Sequence, residues 1–247
     1  MAFVWDELKE LKRIFIPWVY IFGVLGIGFF SVPVLEGKTI AAEAFLQMKS
    51  MLVPKEVEFI VTEPVSAFVV QVGIALMISF ILTSPFFFYR LAKYISGALY
   101  DKERRTLRKL FLPAAFLFAA GAVFGYFIIL PPTFKILYEY AGNIGAKPFF
   151  SVSDFAVFTL GFTFACGIMF LLPVAMGILN FVGVTNRAMW KKNWRYAFLI
   201  FLIVSAIITP DGSGVTMIML SLPLTGLYFV GSVAGGNGRK QTKKDKK

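Results

Sequence analysis

The chain has 247 residues, of which 58% are hydrophobic and 16% charged, with a net charge of +11 and no histidine. A chain with so little charge cannot coat itself as an average soluble domain does, so water is not its main solvent. The lack of histidine removes serine–histidine proteolysis, HExxH zinc chemistry and haem ligation by His.

The apolar residues fall in runs near the roughly 20 residues that cross a hydrocarbon core of about 30 Å, without the alternation of a barrel. The runs predict an all-α polytopic membrane protein with six transmembrane helices, at 14–30, 65–88, 110–130, 155–181, 196–208 and 215–233. The first run follows Asp6, Glu7 and Glu10 and has no small-residue cleavage site, so it reads as a retained span. Residues 1–233 are expected to form one membrane domain. The Lys-rich segment 234–247 reads as a disordered tail drawn to anionic lipid headgroups.

Lys and Arg resist translocation, so their distribution predicts orientation. Twenty lie before span one, between spans two and three, between four and five, and in the tail; five, Lys38, Lys49, Lys55, Lys135 and Lys147, lie on the other side. This alternation places both termini in the cytoplasm. It also accounts for the net charge without a nucleic-acid partner.

Between spans one and two, Ala44, Leu46, Met48 and Leu52 recur at helical spacing, which predicts an amphipathic cap helix over 41–51. Pro33, Pro64, Pro113, Pro131 and Pro132 bracket spans, whereas Pro17, Pro85, Pro173 and Pro223 fall within or near them and predict kinks. Cys166 reads as a packing residue.

Span five has only 13 residues, about 20 Å of helix. With the turn Pro210–Ser213 it predicts a short hairpin of the last two spans and a locally thinned bilayer. Alternatively the helix begins near Lys191, with Trp190 and Trp194 marking the interface.

No span carries an ionisable group at mid-depth, which disfavours an ion-coupled carrier. Neither a phosphate-binding glycine loop nor a metal-spaced carboxylate cluster is present, so the chain does not read as an enzyme and implies no cofactor. A small-solute permease is the alternative function; it would draw on Gln71, Ser79, Thr83, Ser84 and Thr163, which otherwise read as bonding neighbouring helices.

At the cytoplasmic face, Glu7 and Glu10 share one face of a helix and Leu8, Leu11 and Phe15 another. Asp101, Lys102, Glu103, Arg104 and Arg105 cluster before span three. By composition these are ordinary interfacial charges.

Several stretches carry a resemblance: Glu10-Leu11-Lys12-Arg13, Ala98-Leu99-Tyr100-Asp101-Lys102-Glu103-Arg104-Arg105, Phe124-Gly125-Tyr126-Phe127, Leu172-Pro173-Val174-Ala175 and Ile208-Thr209-Pro210-Asp211. In this order, up to about residue 233, the chain resembles the TatC family, the six-span receptor subunit of the twin-arginine protein translocase. The resemblance implies a multi-pass protein of a prokaryotic cytoplasmic membrane that binds twin-arginine signal peptides on folded cargo. Glu10 and Glu103 are the implied binding residues, with Glu7 the alternative to Glu10; Tyr94, Arg104 and Arg105 help shape the site. Two guanidinium groups can each pair bidentately with a carboxylate, which Lys reproduces poorly. Also implied as partners are small single-span TatA/TatB-type subunits along spans five and six and further copies of the chain, with transport driven by the proton gradient. The sequence departs from the family in having apolar Phe170, Leu171 and Leu172 where many members carry a polar group in span four. It also has Lys12 where arginine is usual, and no histidine ahead of Glu10.

Overall fold

The computed structural model describes residues 2–35, 37–54, 57–97, 101–143, 149–209 and 214–234, with the side chains of 2–11, 34–35, 58, 95–97, 101–110, 182 and 234 outside that description. Contacts divide the chain into two compact units, residues 1–167 and 168–247.

The first unit opens with α1 (Ala2–Ser31), a 30-residue helix that carries Pro17. A small antiparallel pair, β1 (Pro33–Leu35) and β2 (Lys38–Thr39), turns at Gly37, whose φ of 78° suits a residue without a Cβ. Helix α2 (Ile40–Leu52) is the predicted cap helix. Its first turn is closed by Thr39, whose Oγ1 accepts from the Ala42 amide at 3.3 Å. The face that packs on the rest of the unit is Ala41, Met48 and Leu52; Leu46, expected on an apolar face, turns outward.

Helix α3 (Ser66–Gly97) and α4 (Asp101–Phe124) follow, with Pro85 and Pro113 inside them. A π-helical turn (Gly125–Ile129) then leads into α5 (Leu130–Asn143). The apolar run therefore extends from Phe111 to Asn143 rather than ending at Leu130 as the bracketing prolines suggest. The wide turn explains the continuation. Pro131 and Pro132 have no N–H to return, and just before them the Leu130 amide reaches back five residues to the Gly125 carbonyl. Close approach to α6 (Val152–Met169) fixes this place, since a Cβ on Gly125 would sit 2.7 Å from Cys166 Cβ. Cys166 is fully buried, in keeping with a packing role.

On the same side as α2, β3 (Glu58–Ile60) pairs in parallel with β4 (Phe149–Ser151). There Phe45, Phe59 and Phe155 meet edge to face, and Phe134 joins Phe155 at 5.2 Å. These rings tie α2, β3, α5 and α6 together, each contact adding about 1 kcal/mol beyond area burial.

The second unit begins where α6 ends. Phe170 and Leu171 interrupt the predicted fourth span, and α7 (Leu172–Val182) restarts with Pro173 in its first turn. Pro173 cannot donate to the Met169 carbonyl, so the chain tightens instead, with the Leu171 amide bonding the Ile168 carbonyl at 3.0 Å. Gly183, at φ 83°, closes α7. The short helix α8 (Arg187–Lys192) is capped by Asn186 and ends at Asn193, after which α9 (Trp194–Ile208) and α10 (Val215–Ala234) complete the unit. Helix α10 crosses α7 closely; a Cβ on Gly231 would meet Met176 Sδ at 2.9 Å.

Among the described residues, five segments are long and apolar enough to cross a membrane, and α9 is a shorter apolar helix of 15 residues. The break at Asn193 separates α8 from α9, so the helix at the predicted fifth span is short. Span six is not: α10 has 20 residues, about 30 Å of helix, and corrects the expectation that both last spans are short. The turn at 210–213 and the tail from residue 235 lie outside the described residues.

Candidate functional site

Aromatic spacing positions the site. On α1, Phe15, Trp18 and Phe22 lie three and four residues apart, one stripe of a helix; on α3, Phe80, Phe87 and Tyr94 lie seven apart, another. The stripes interlock. Phe15 meets Tyr94 at 6.3 Å and Phe87 at 5.9 Å, while Trp18 meets Phe87 at 4.9 Å and Phe80 at 5.9 Å. The Trp18 indole also donates to Thr83 Oγ1 at 3.3 Å. As numbers rise along α1 they fall along α3, so the two helices run antiparallel.

The same reading applies from α3 to α4, where Tyr89 meets Phe111 at 5.4 Å and Phe88 meets Phe118 at 5.9 Å. Consequently the start of α1, the end of α3 and the start of α4 lie at one side of the first unit. Glu7 and Glu10 lie in the N-terminal turns of α1, and Glu103, Arg104 and Arg105 in the first turn and a half of α4. The fold thus brings the two acidic segments to the same side by backbone placement. Their side chains lie outside the described residues.

Tyr94 is half-buried, its ring set against Phe15, five residues on from Glu10. Lys12 and Arg13 on α1 are exposed. Arg90, one turn before Tyr94, lies over the Phe86 ring at 4.6 Å, and its Nε is buried without a hydrogen-bond partner. Arg90 was counted among the sequence's cations but not as a site residue; the Phe86–Arg90 spacing of four was the available signal.

The polar residues considered for a solute pathway behave differently from expectation. Ser79, Thr83, Ser84 and Thr163 donate to carbonyls of their own helices, Ala75, Ser79, Ile81 and Thr159, at 2.7–2.8 Å. Hydroxyls within a helix can return their proton to the preceding turn, which leaves little for a neighbour or a solute. Of these four, Thr83 also accepts a bond from another helix, that from Trp18. A cavity of about 230 Å³ does lie in this unit under the cap helix, walled mainly by Met48, Ile74, Met77, Ile78 and Leu160, with Gln47, Tyr126, Thr159 and Thr163 as its polar members. Among the described residues no group of His, Cys, Asp or Glu is arranged to hold a metal ion.

Comparison with known proteins bears on these placements. The family profile described as Sec-independent protein translocase protein (TatC) matches residues 6–223. The chain belongs to the TatC family. The TatC protein of Cenarchaeum symbiosum is 40% identical over 191 residues, covering 77% of this chain and 72% of its own length. That of Deinococcus radiodurans is 30% identical over 233 residues, 93% of this chain and 84% of its own. Among solved structures, the crystal structure of the twin arginine translocase receptor TatC in DDM is 30% identical and covers 93% of this chain and 99% of its own, with a TM-score of 0.73. Membership makes the chain a component of a Sec-independent protein translocase, and the long apolar helices make it a polytopic membrane protein.

Proposed function

We propose that the chain is the receptor of a twin-arginine translocase, binding twin-arginine signal peptides of folded proteins where the start of α1 and the start of α4 meet. The observation that carries this reading is the interlock of Phe15 with Tyr94, which holds the Glu7–Glu10 segment of α1 at the end of α3 from which α4 departs. Two acidic positions from two helices suit a ligand with two adjacent guanidinium groups, each able to form a charge-assisted fork with one carboxylate. Arg104 and Arg105 follow Glu103 directly and help shape the site. The chain crosses the bilayer six times with both termini in the cytoplasm, as its 20 and 5 basic residues divide, and the site faces the cytoplasm. The exposed faces of α9 and α10 receive single-span partner subunits, and transport draws on the proton gradient.

The test is the affinity of the purified full chain for a twin-arginine signal peptide and its twin-lysine form, with Glu10→Ala and Glu103→Ala alongside. Each substitution is expected to weaken arginine binding by roughly 10-fold or more, since a hydrogen bond to a charged group contributes about 1.5–3 kcal/mol. Equal affinity for the two peptides, or wild-type affinity in both variants, would sink the proposal.

A further inference from the structure

In the second unit, α8 is held by a polar network out of proportion to its six residues. Asn180, near the end of α7, is 2% exposed. Its Oδ1 accepts from Thr185 Oγ1 and from Trp190 Nε1, both at 2.8 Å. The Tyr228 hydroxyl, from α10, donates to the Trp190 carbonyl at 2.6 Å while its ring meets the indole edge to face at 5.8 Å. An indole N–H can only donate, so the amide of Asn180 has one orientation, with Nδ2 turned away. That Nδ2 is buried without a partner, as is Nε of Arg187. Both unmatched atoms are donors.

The charges around them are of one sign. Arg187, Lys191, Lys192 and Arg195 lie within nine residues of chain, and no acidic residue occurs between Asp154 and Asp211. In sequence, Asp211 comes only after the whole 15-residue α9. The second unit therefore offers the α8 cations no acid at their own end among its described residues. Cations and free N–H donors of this kind suit a ligand with anionic oxygens.

The surroundings say which kind. Lys191, Lys192 and Arg195 are exposed, and the Arg195 guanidinium lies 5.8 Å over the Trp194 ring. Immediately after, α9 presents Tyr196, Leu199, Ile200 and Ile203, each more than half exposed. Cations interleaved with two indoles and then a bare apolar stripe, running from α8 into α9, follow the change from headgroup to acyl chain. We propose that α8, fixed by Asn180, Trp190 and Tyr228, is a binding site for the phosphate of an anionic phospholipid whose chains lie along α9. The proposal does not rest on signal-peptide binding; it needs only that α9 meets the bilayer.

The experiment uses the full chain with Trp5→Phe and Trp18→Phe, so that Trp190 and Trp194 report alone, in vesicles of equimolar phosphatidylcholine and phosphatidylglycerol with bromine on the chains of one or the other. Quenching by brominated phosphatidylglycerol is expected to exceed that by brominated phosphatidylcholine, with a preference of roughly fivefold for each cation engaged. Lys191→Gln with Lys192→Gln and Arg195→Gln should abolish the preference. Asn180→Leu, which keeps every charge, should reduce it if the helix must be positioned. A matched neutralisation of Lys243, Lys244 and Lys246 in the tail should leave it intact. Equal quenching by the two lipids, or a preference that survives the α8 triple substitution, overturns the proposal. So does a preference removed by millimolar inorganic phosphate, which would make the ligand a soluble anion. Should Asn180→Leu fail to fold, the triple substitution alone decides.

Discussion

At Gly125 there is no room for even one methyl group. An added Cβ would lie 2.7 Å from Cys166 Cβ and 2.8 Å from its Sγ, and both belong to a helix wall rather than to a flexible end. Gly125→Ala is therefore expected to destabilise the protein by about 1–3 kcal/mol, the cost of overpacking. At Gly23 nothing stands within 4 Å, and Gly23→Ala should be neutral or slightly stabilising. Reversible unfolding of the two variants in mixed micelles distinguishes them; equal stability would mean that the π turn and α6 do not approach here. Tyr94 offers a second test at this scale. Its described contact is through the ring, so Tyr94→Phe should keep signal-peptide affinity within about twofold, while Tyr94→Ala, which loses an aromatic pair of about 1 kcal/mol, should weaken it roughly fivefold. A loss as large in the Phe variant would assign the hydroxyl, rather than the ring, to the ligand.

Helix α9 measures about 22 Å against a hydrocarbon core of about 30 Å. If α9 crosses, either the bilayer thins around it or its ends are drawn into the core, and both carry a cost that grows with thickness. Thermal unfolding in phosphatidylcholine vesicles of increasing chain length should show greater stability with 14-carbon than with 18-carbon chains. Inserting one turn of Leu and Ile into α9 should move the optimum to longer chains; an optimum that does not move would show that α9 is sheltered from lipid. This shortness was legible in the sequence because Pro210 and the Lys191–Arg195 cluster bound the apolar run on both sides. The cap helix was legible from a run at helical spacing, whereas its cap Thr39 was not singled out. What local signals mis-set was the behaviour of proline. Pro131 and Pro132 read as a stop but are carried through by the π turn, whereas Pro173 read as a kink within one helix and instead separates two. The difference lies in the preceding turn, which is wide where the Leu130 amide reaches back to the Gly125 carbonyl and tight where the Leu171 amide bonds the Ile168 carbonyl. The acidic residues of the candidate site were legible through resemblance to the TatC family. Their common side followed from the heptad spacing of Phe80, Phe87 and Tyr94, a signal present in the sequence that composition does not register.

Across the whole molecule, the side on which the chain's end emerges depends on α9. If α9 crosses, residues 187–195 and the tail lie on one side of the bilayer, the 210–213 turn on the other, and all 20 basic residues of the major group share a compartment. If α9 lies along the surface instead, the turn joins the side of α8, α10 carries the chain across, and the six cations of the tail are translocated. Basic residues resist that transfer, so the charge distribution favours crossing despite the short helix. In a Cys166→Ala background, cysteines placed at Ala2, Gly212 and Gly238 separate the two arrangements when intact cells are treated with a membrane-impermeant maleimide. Crossing predicts labelling at 212 alone before lysis and at 2 and 238 only after it. Labelling at 238 in intact cells with protection at 212 would put α9 on the surface. It would also move the exposed face of α9 out of reach of any single-span partner within the bilayer, so the same experiment decides whether that partner surface exists.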